Sequence, residues 1–322
     1  AGNSITSGGN YNTVVGDEAG TALTTGDSNV AMGYQALATE DANGTNTAIG
    51  YQSLKTLNAG ADGNNTAVGY RAGTALTTGT QNTLIGSLAG DALTDTDFNV
   101  AVGVASLSGD TLGSKSTAIG YYALATQNFT SATDVFNTAV GHNAGRAITT
   151  GVQNTLIGGL AGDAITTGGY NTAVGYLSGS AITTGSGNAF FGLRAGAGTT
   201  TGTANTFIGG SSNSYAGYAN TTGANNTAVG TDALAANTTA SNNTAVGMDA
   251  LTAITTGANN TAVGLNAGDA LIDADYNVAV GEGALGADTY GSNSTAIGRL
   301  ALANQNFTSA TNSENTAVGY IA

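Results

Sequence analysis

The sequence predicts an all-β protein, a parallel β-solenoid of about eighteen coils, most of them 17 residues long. Three observations predict it. Variants of the pentad Asn-Thr-Ala-Val-Gly recur eighteen times, and thirteen of the seventeen intervals between their final glycines (Gly16 to Gly319) are 17 residues, with one of 19 and three of 21. A short period held over a whole chain marks a repeat architecture. Read as a strand, the pentad places its Thr and Val on one face and its Asn and Ala on the other, a period-2 signal. Finally, 51 glycines and no proline punctuate a unit too short and too glycine-rich for a pair of helices.

Numbering the unit from its Asn gives the consensus N-T-A-V-G-x-x-A-[GL]-x-A-[LI]-T-T-G-x-x, seen nearly unbroken at 154–170 and 171–187. Slots 2 and 4 carry β-branched Thr and Val, which suit a strand. Glycines at slots 5, 15 and often 9 suit corners. Each unit therefore reads as one coil with two short strands, and eighteen rungs at about 4.7–4.8 Å would make a rod on the order of 85 Å long. Slot 4 is apolar in every coil, from Val15 to Val318, and reads as a continuous aliphatic core joined at slot 12 by Leu23, Leu76, Ile148, Ile165, Ile182 and Ile254. The small residues of slots 3 and 8 read as faces on which another chain could pack. Insertions such as 127–136 and 305–314 are expected to bulge from one edge.

Slot 1 is Asn in sixteen coils: Asn12, Asn29, Asn46, Asn65, Asn82, Asn99, Asn137, Asn154, Asn171, Asn188, Asn205, Asn226, Asn243, Asn260, Asn277 and Asn315. It is Ser in the other two, Ser116 and Ser294. Stacked coils would align these amides into a structural ladder that also satisfies buried corner carbonyls.

The period spans residues 1–322, so one solenoid domain is expected. Residues 116–133 match 294–311, and 91–103 match 269–281, both at an offset of 178, which reads as a ten-coil duplication. The sequence starts and stops mid-coil, and joining its ends gives a Gly319-to-Gly16 interval of 19. This suggests head-to-tail stacking through Ala1, Gly2, Ile5, Tyr11, Val318, Tyr320, Ile321 and Ala322. A homo-oligomer, head to tail or lateral, is the partner the repeat implies.

Charge narrows the partners. Six Lys plus Arg against twenty Asp plus Glu give a net charge of -14, which opposes nucleic acid and anionic membrane surfaces. No apolar run reaches the roughly 18–20 residues of a membrane span. Without cysteine there is no disulfide framework. A start at Ala1, with neither Met nor a basic-then-apolar leader, is what a mature secreted protein would show, so an extracellular, cell-surface or virion-surface location is expected.

Chemistry is sparse. His142 is the only histidine and occupies a slot held elsewhere by Tyr, Asp or Leu, as a surface residue would. The stretch 109–116 (GDTLGSKS) lacks the ending of a phosphate-binding loop. No cofactor and no enzymatic activity are expected. Asp91, Asp95, Asp97 and Asp110 recur as Asp269, Asp273, Asp275 and Asp288. Such carboxylates could hold calcium, which takes six to eight oxygens, or simply line a solvated corner. Aromatics form two columns, Tyr34, Tyr51, Tyr70, Tyr121, Tyr176 and Tyr320 after the glycine, and Tyr11, Phe98, Phe136, Tyr170 and Tyr276 before the Asn. Corner packing, an inter-subunit strip or a glycan-binding strip would each use them. Ice binding by threonine ladders is less well supported, because slot 2 accepts Val30, Val100 and Val278.

The pentad, with Ala three residues on, resembles the head repeats of trimeric autotransporter adhesins. It is more similar still to repeat arrays of phage-type tail-fibre and bacterial surface-fibre proteins. The resemblance implies a left-handed coil and a trimeric fibre. The expected function is thus a non-enzymatic extracellular structural protein, the solenoid subunit of a filament or fibre. The alternative is the shaft or head of a trimeric adhesin or tail fibre that binds a surface.

Overall fold

The computed structural model describes residues 1–322. It is an all-β protein without helix: eighteen three-residue strands, all parallel, make a β-solenoid of about eighteen turns. Two compact units divide the chain, residues 1–159 and 160–322, with nine of these strands in each. Within each unit, slots 2 to 4 of one coil pair in register with the same slots of the next. Val30, Ala31 and Met32 lie against Thr47, Ala48 and Ile49 in the first unit, and Thr244, Ala245 and Val246 lie against Thr261, Ala262 and Val263 in the second.

Only this one strand recurs in every coil. The expected second strand is confined to two-residue pairs, 113–114 with 133–134 and 291–292 with 311–312. The rest of each coil is turned by residues in the left-handed region, where an L side chain is costly. Gln52, Leu54 and Asn64, at slots 7, 9 and the last position of their coil, have φ of 56°, 47° and 51°. Neighbouring coils hold these backbones in place: Gln52 N–H donates to Tyr34 O at 2.8 Å and Leu54 N–H to Ala72 O at 3.0 Å.

The slot-5 glycine has a stricter reason to be invariant. Gly247 has φ of 135°, and a Cβ built there would lie 2.3 Å from Gly264 O in the next coil. Both the backbone angle and the stacking distance exclude any side chain.

The core differs from the expectation in one respect with large consequences. The parity of the strand is as read, but the faces are reversed. Slot 3, not slot 4, points inward: Ala31, Ala48, Ala67, Leu84, Leu156, Phe190, Phe207 and Ala245 are fully buried. Slot 4 lies outside, with Ile208 41% and Val263 38% exposed. Slot 8 is also inside, as at Ala72 and Ala250. The small residues of slots 3 and 8 therefore make no external packing faces.

The physical reason is the width of the coil. The interior is filled from slots 9 and 12, leaving slot 3 room for little more than a methyl group. Where slot 3 is large, slot 9 is glycine: Leu84 with Gly90, Phe190 with Gly196, Phe207 with Gly217. A Cβ on Gly217 would meet Phe207 at 2.3 Å. Where slot 3 is Ala, slot 9 can be a buried Leu, as in Ala48 with Leu54 and Ala228 with Leu234. A large residue thus enters one of the two slots but never both, and coils with Ala at slot 3 and Gly at slot 9, such as Ala67 with Gly73, are filled by neighbours, here Leu54 and Leu84. The slot-12 residues Leu23, Leu76, Ile148, Ile165, Ile182 and Ile254 are buried as expected.

The 127–136 insertion is not a simple bulge either, since Gln127, Phe129 and Val135 are buried.

Candidate interaction surface

Inside each unit the slot-1 residues form a one-way ladder. The Oδ1 of one Asn accepts the backbone N–H of the next slot-1 residue, as from Asn12 to Asn29, Asn65 to Asn82 and Asn243 to Asn260, at 2.8–2.9 Å. Nδ2 donates to a corner carbonyl of its own coil, as Asn65 to Gly79 O and Asn243 to Gly257 O. Asn12 and Asn315 lie less enclosed than the others, and Asn29, Asn46, Asn82, Asn99, Asn137, Asn154, Asn171, Asn188, Asn205, Asn226, Asn260 and Asn277 are buried. Polar groups that would otherwise be unpaired inside the coil are thereby satisfied.

The two Ser rungs need a substitute that sequence reasoning missed. At Ser116 the buried Gln127, itself at slot 12, reaches across the core. Its Nε2 donates to Asp110 Oδ2 at 2.5 Å and Ser116 Oγ at 3.0 Å, while its Oε1 accepts from Asn137 Nδ2 at 2.9 Å. Asp110 Oδ1 accepts the amides of Gly113 and Phe129. Gln305 repeats this with Asp288, Ser294 and Asn315. The signal was present: Ser at slot 1 and Gln at slot 12 occur in the same two coils.

That network also decides how the acidic groups are arranged. Asp110 and Asp288 are buried and bonded inside the coil. Asp97 accepts from Thr80, Asp95 from Thr78, Asp275 from Ala258 N–H and Asp273 from Thr256. Burial pushes the Asp91 and Asp269 carboxyls above the usual range. Six of these eight carboxylates bond to the coil's own groups, whereas Asp269 Oδ1 is buried without a hydrogen-bond partner, and no group of three His, Asp or Glu side chains is placed to hold a metal ion. Another buried carboxyl, Glu40, is raised chiefly by burial and accepts N–H bonds from Asn43 and Ala59.

On the surface, Tyr34, Tyr51 and Tyr70 stack at 5.3 Å between successive ring centres, and His142 stacks on Tyr121 at 5.4 Å. Within this stack Tyr51 has a ring on either side, whereas Tyr34 and Tyr70 each have one stacked neighbour. Glu18 raises the Tyr34 phenol above its ordinary value. Tyr11, Phe98, Phe136, Tyr170 and Tyr276 are exposed, all with φ of 55–61°. Of the residues expected at stacking ends, Tyr11, Val318, Tyr320, Ile321, Ala1 and Ala322 are exposed and Gly2 and Ile5 are half-buried.

The most extensive regular surface is the outward strand face. Slots 2 and 4 present a half-buried threonine column beside an aliphatic one, with no charged residue in either slot of any coil. Phe191 (40%), Ile208 and Ile297 (40%) show how much apolar surface is left in water. A column that is apolar in every coil yet faces outward is the kind of patch that marks an interaction site. No helix is long and apolar enough to cross a membrane.

No protein-family model, curated protein or solved structure matches this chain.

Proposed function

We propose that the protein is a non-enzymatic structural subunit of an extracellular filament or fibre, associating laterally with copies of itself through the outward face of slots 2 and 4. One observation carries the reading: the slot-4 column is apolar in all eighteen coils although it lies outside the core. Internal packing does not account for that uniformity, whereas burial against another copy does. Nine rungs at about 4.8 Å and three strand residues at about 3.3 Å each give each unit about 430 Å² of face, about half of one partner's share of a standard interface, about 800 Å². An identical column on each copy, free of charge, also avoids the repulsion expected between chains of net charge -14.

The test is the solution mass of the full chain against the Ile208→Lys/Val263→Lys variant. The wild type is expected at a multiple of 31.1 kDa and the variant at the single-chain mass, with unchanged β-structure by circular dichroism. A wild type that stays monomeric at all concentrations refutes the proposal.

A further inference from the structure

One coil breaks the repeat in a place no other insertion uses. The 21-residue coil starting at Asn205 carries its extra residues between the slot-5 glycine and the slot-8 alanine, at 210–215 (GSSNSY). They fold back as a short loop, closed by an antiparallel bridge between Gly210 and Tyr215 and by Ser211 N–H donating to Ser214 O at 2.8 Å. The loop is anchored: Tyr215 is buried, its hydroxyl donates to Ser212 O at 2.8 Å, and its N–H donates to Asp232 Oδ1 at 2.9 Å.

Beside this loop lies a groove of about 380 Å³ whose lining includes Leu177, Ser180, Arg194, Ala197 and Tyr218. Arg194 is one of only six Lys and Arg residues in the chain. Its guanidinium lies 5.6 Å from the centre of the Tyr215 ring, and it is not in an ion pair, unlike Lys115 with Asp134 and Arg299 with Glu282. A cation held on an aromatic face keeps its edge N–H donors free in the fork that matches a carboxylate. Tyr218 is 43% exposed and packs on Tyr215 at 5.2 Å in a tilted arrangement of 40°, so part of its ring meets solvent at the groove. Leu177 and Ala197 add apolar surface, and the Ser180 hydroxyl adds a donor and acceptor.

We propose that this groove binds the terminal residue of a carboxylated saccharide. The Arg194 fork takes the carboxylate, Tyr218 packs on the apolar face of the ring, and Ser180 meets a ring hydroxyl. A shallow groove on a strongly acidic chain favours one localised negative charge over a polyanion, which the rest of the surface repels. This inference is independent of the fibre reading: it concerns residues of one chain and requires no association.

The experiment is an amide-shift titration of the full chain with methyl glucuronide, whose blocked anomeric carbon imitates a chain terminus. Methyl glucoside and acetate are the comparisons. Saturable shifts at Arg194 and Tyr218 are expected, with Kd in the millimolar range, about 1–10 mM. The neutral glucoside and acetate should each bind about tenfold or more weakly, as loss of a charge-assisted pair or of ring stacking implies. Arg194→Gln and Tyr218→Ala should each weaken glucuronide about tenfold, while Arg146→Gln, on a different tyrosine, should not. No saturable shift up to about 50 mM overturns the proposal. So does equal binding of glucoside, equal binding of acetate, or undiminished affinity in Arg194→Gln.

Discussion

Replacing Gln127 by leucine makes the core more apolar and should nevertheless destabilise the protein. Leucine is the usual slot-12 residue, and burying it in place of Gln gains about 1.5–3 kcal/mol of transfer free energy. Against this, Gln127 satisfies three buried partners: Asp110 Oδ2, Ser116 Oγ and one N–H of Asn137 Nδ2. Each buried polar group left unpaired costs about 1–3 kcal/mol, more for a carboxylate, so the loss is about 4–8 kcal/mol and the net destabilisation about 1–6 kcal/mol. Asp110 has no cation partner to fall back on. The triple variant Asp110→Leu/Ser116→Asn/Gln127→Leu restores the ordinary slot residues and should recover most of the loss. The assay is the urea midpoint by circular dichroism, with hydrogen exchange at the Phe129 amide as the local probe, because that N–H is bonded to Asp110. Long repeat arrays can unfold in parts, and the local probe keeps the result interpretable. A single Gln127→Leu variant as stable as wild type, or more so, refutes the reasoning.

Three further outcomes follow from the same packing. Gly247→Ala should cost about 2–6 kcal/mol, combining backbone strain of about 1–3 with overpacking of about 1–3. Gly60→Ala, which has φ of 70° but open space, should cost about 1 kcal/mol, and thermal melts compare the two. Gly217→Leu should collapse its coil by collision with Phe207, whereas Phe207→Ala/Gly217→Leu, which recreates the Ala228 and Leu234 pairing, should melt close to wild type. Finally, burial raises the Glu40 carboxyl above its unfolded value. Its contribution to stability is therefore fully present below the unfolded carboxyl range and lost as pH rises through the folded value. Wild-type stability relative to Glu40→Gln should increase on acidification from neutral pH toward pH 4.5, and a flat difference would contradict the shift.

Fold and register were legible because each coil repeats one backbone solution. The slot-5 glycine, in a conformation closed to side chains and stacked on the next carbonyl, fixes the beat visible in the sequence. The inward direction of the strand was not legible from hydrophobicity alone. Valine is larger and more apolar than alanine, so slot 4 reads as core; the narrow coil instead takes alanine inside and fills its volume from slots 9 and 12. The exchange between Phe207 and Gly217, or Ala228 and Leu234, was in the sequence as a covariation between slots. Its meaning required knowing that both slots face one cavity. The Asn ladder could be anticipated from the stacked register, but not its polarity, in which a side-chain oxygen accepts the next backbone N–H. The groove at Arg194 was hidden, because Leu177, Arg194 and Tyr218 come from three successive coils and are joined only by stacking.

The central claim is that the outward slot-4 column meets another copy. The chain has no cysteine, so a nitroxide on Val246→Cys reports that column alone, and one on Thr256→Cys reports a different part of the same coils. Dipolar spectroscopy of the full chain should then show intermolecular coupling at Val246 with distances on the order of 10–20 Å, given sheets packing face to face at about 10 Å. Thr256 should give longer distances. Absence of intermolecular coupling at Val246, or shorter distances at Thr256, would contradict the account.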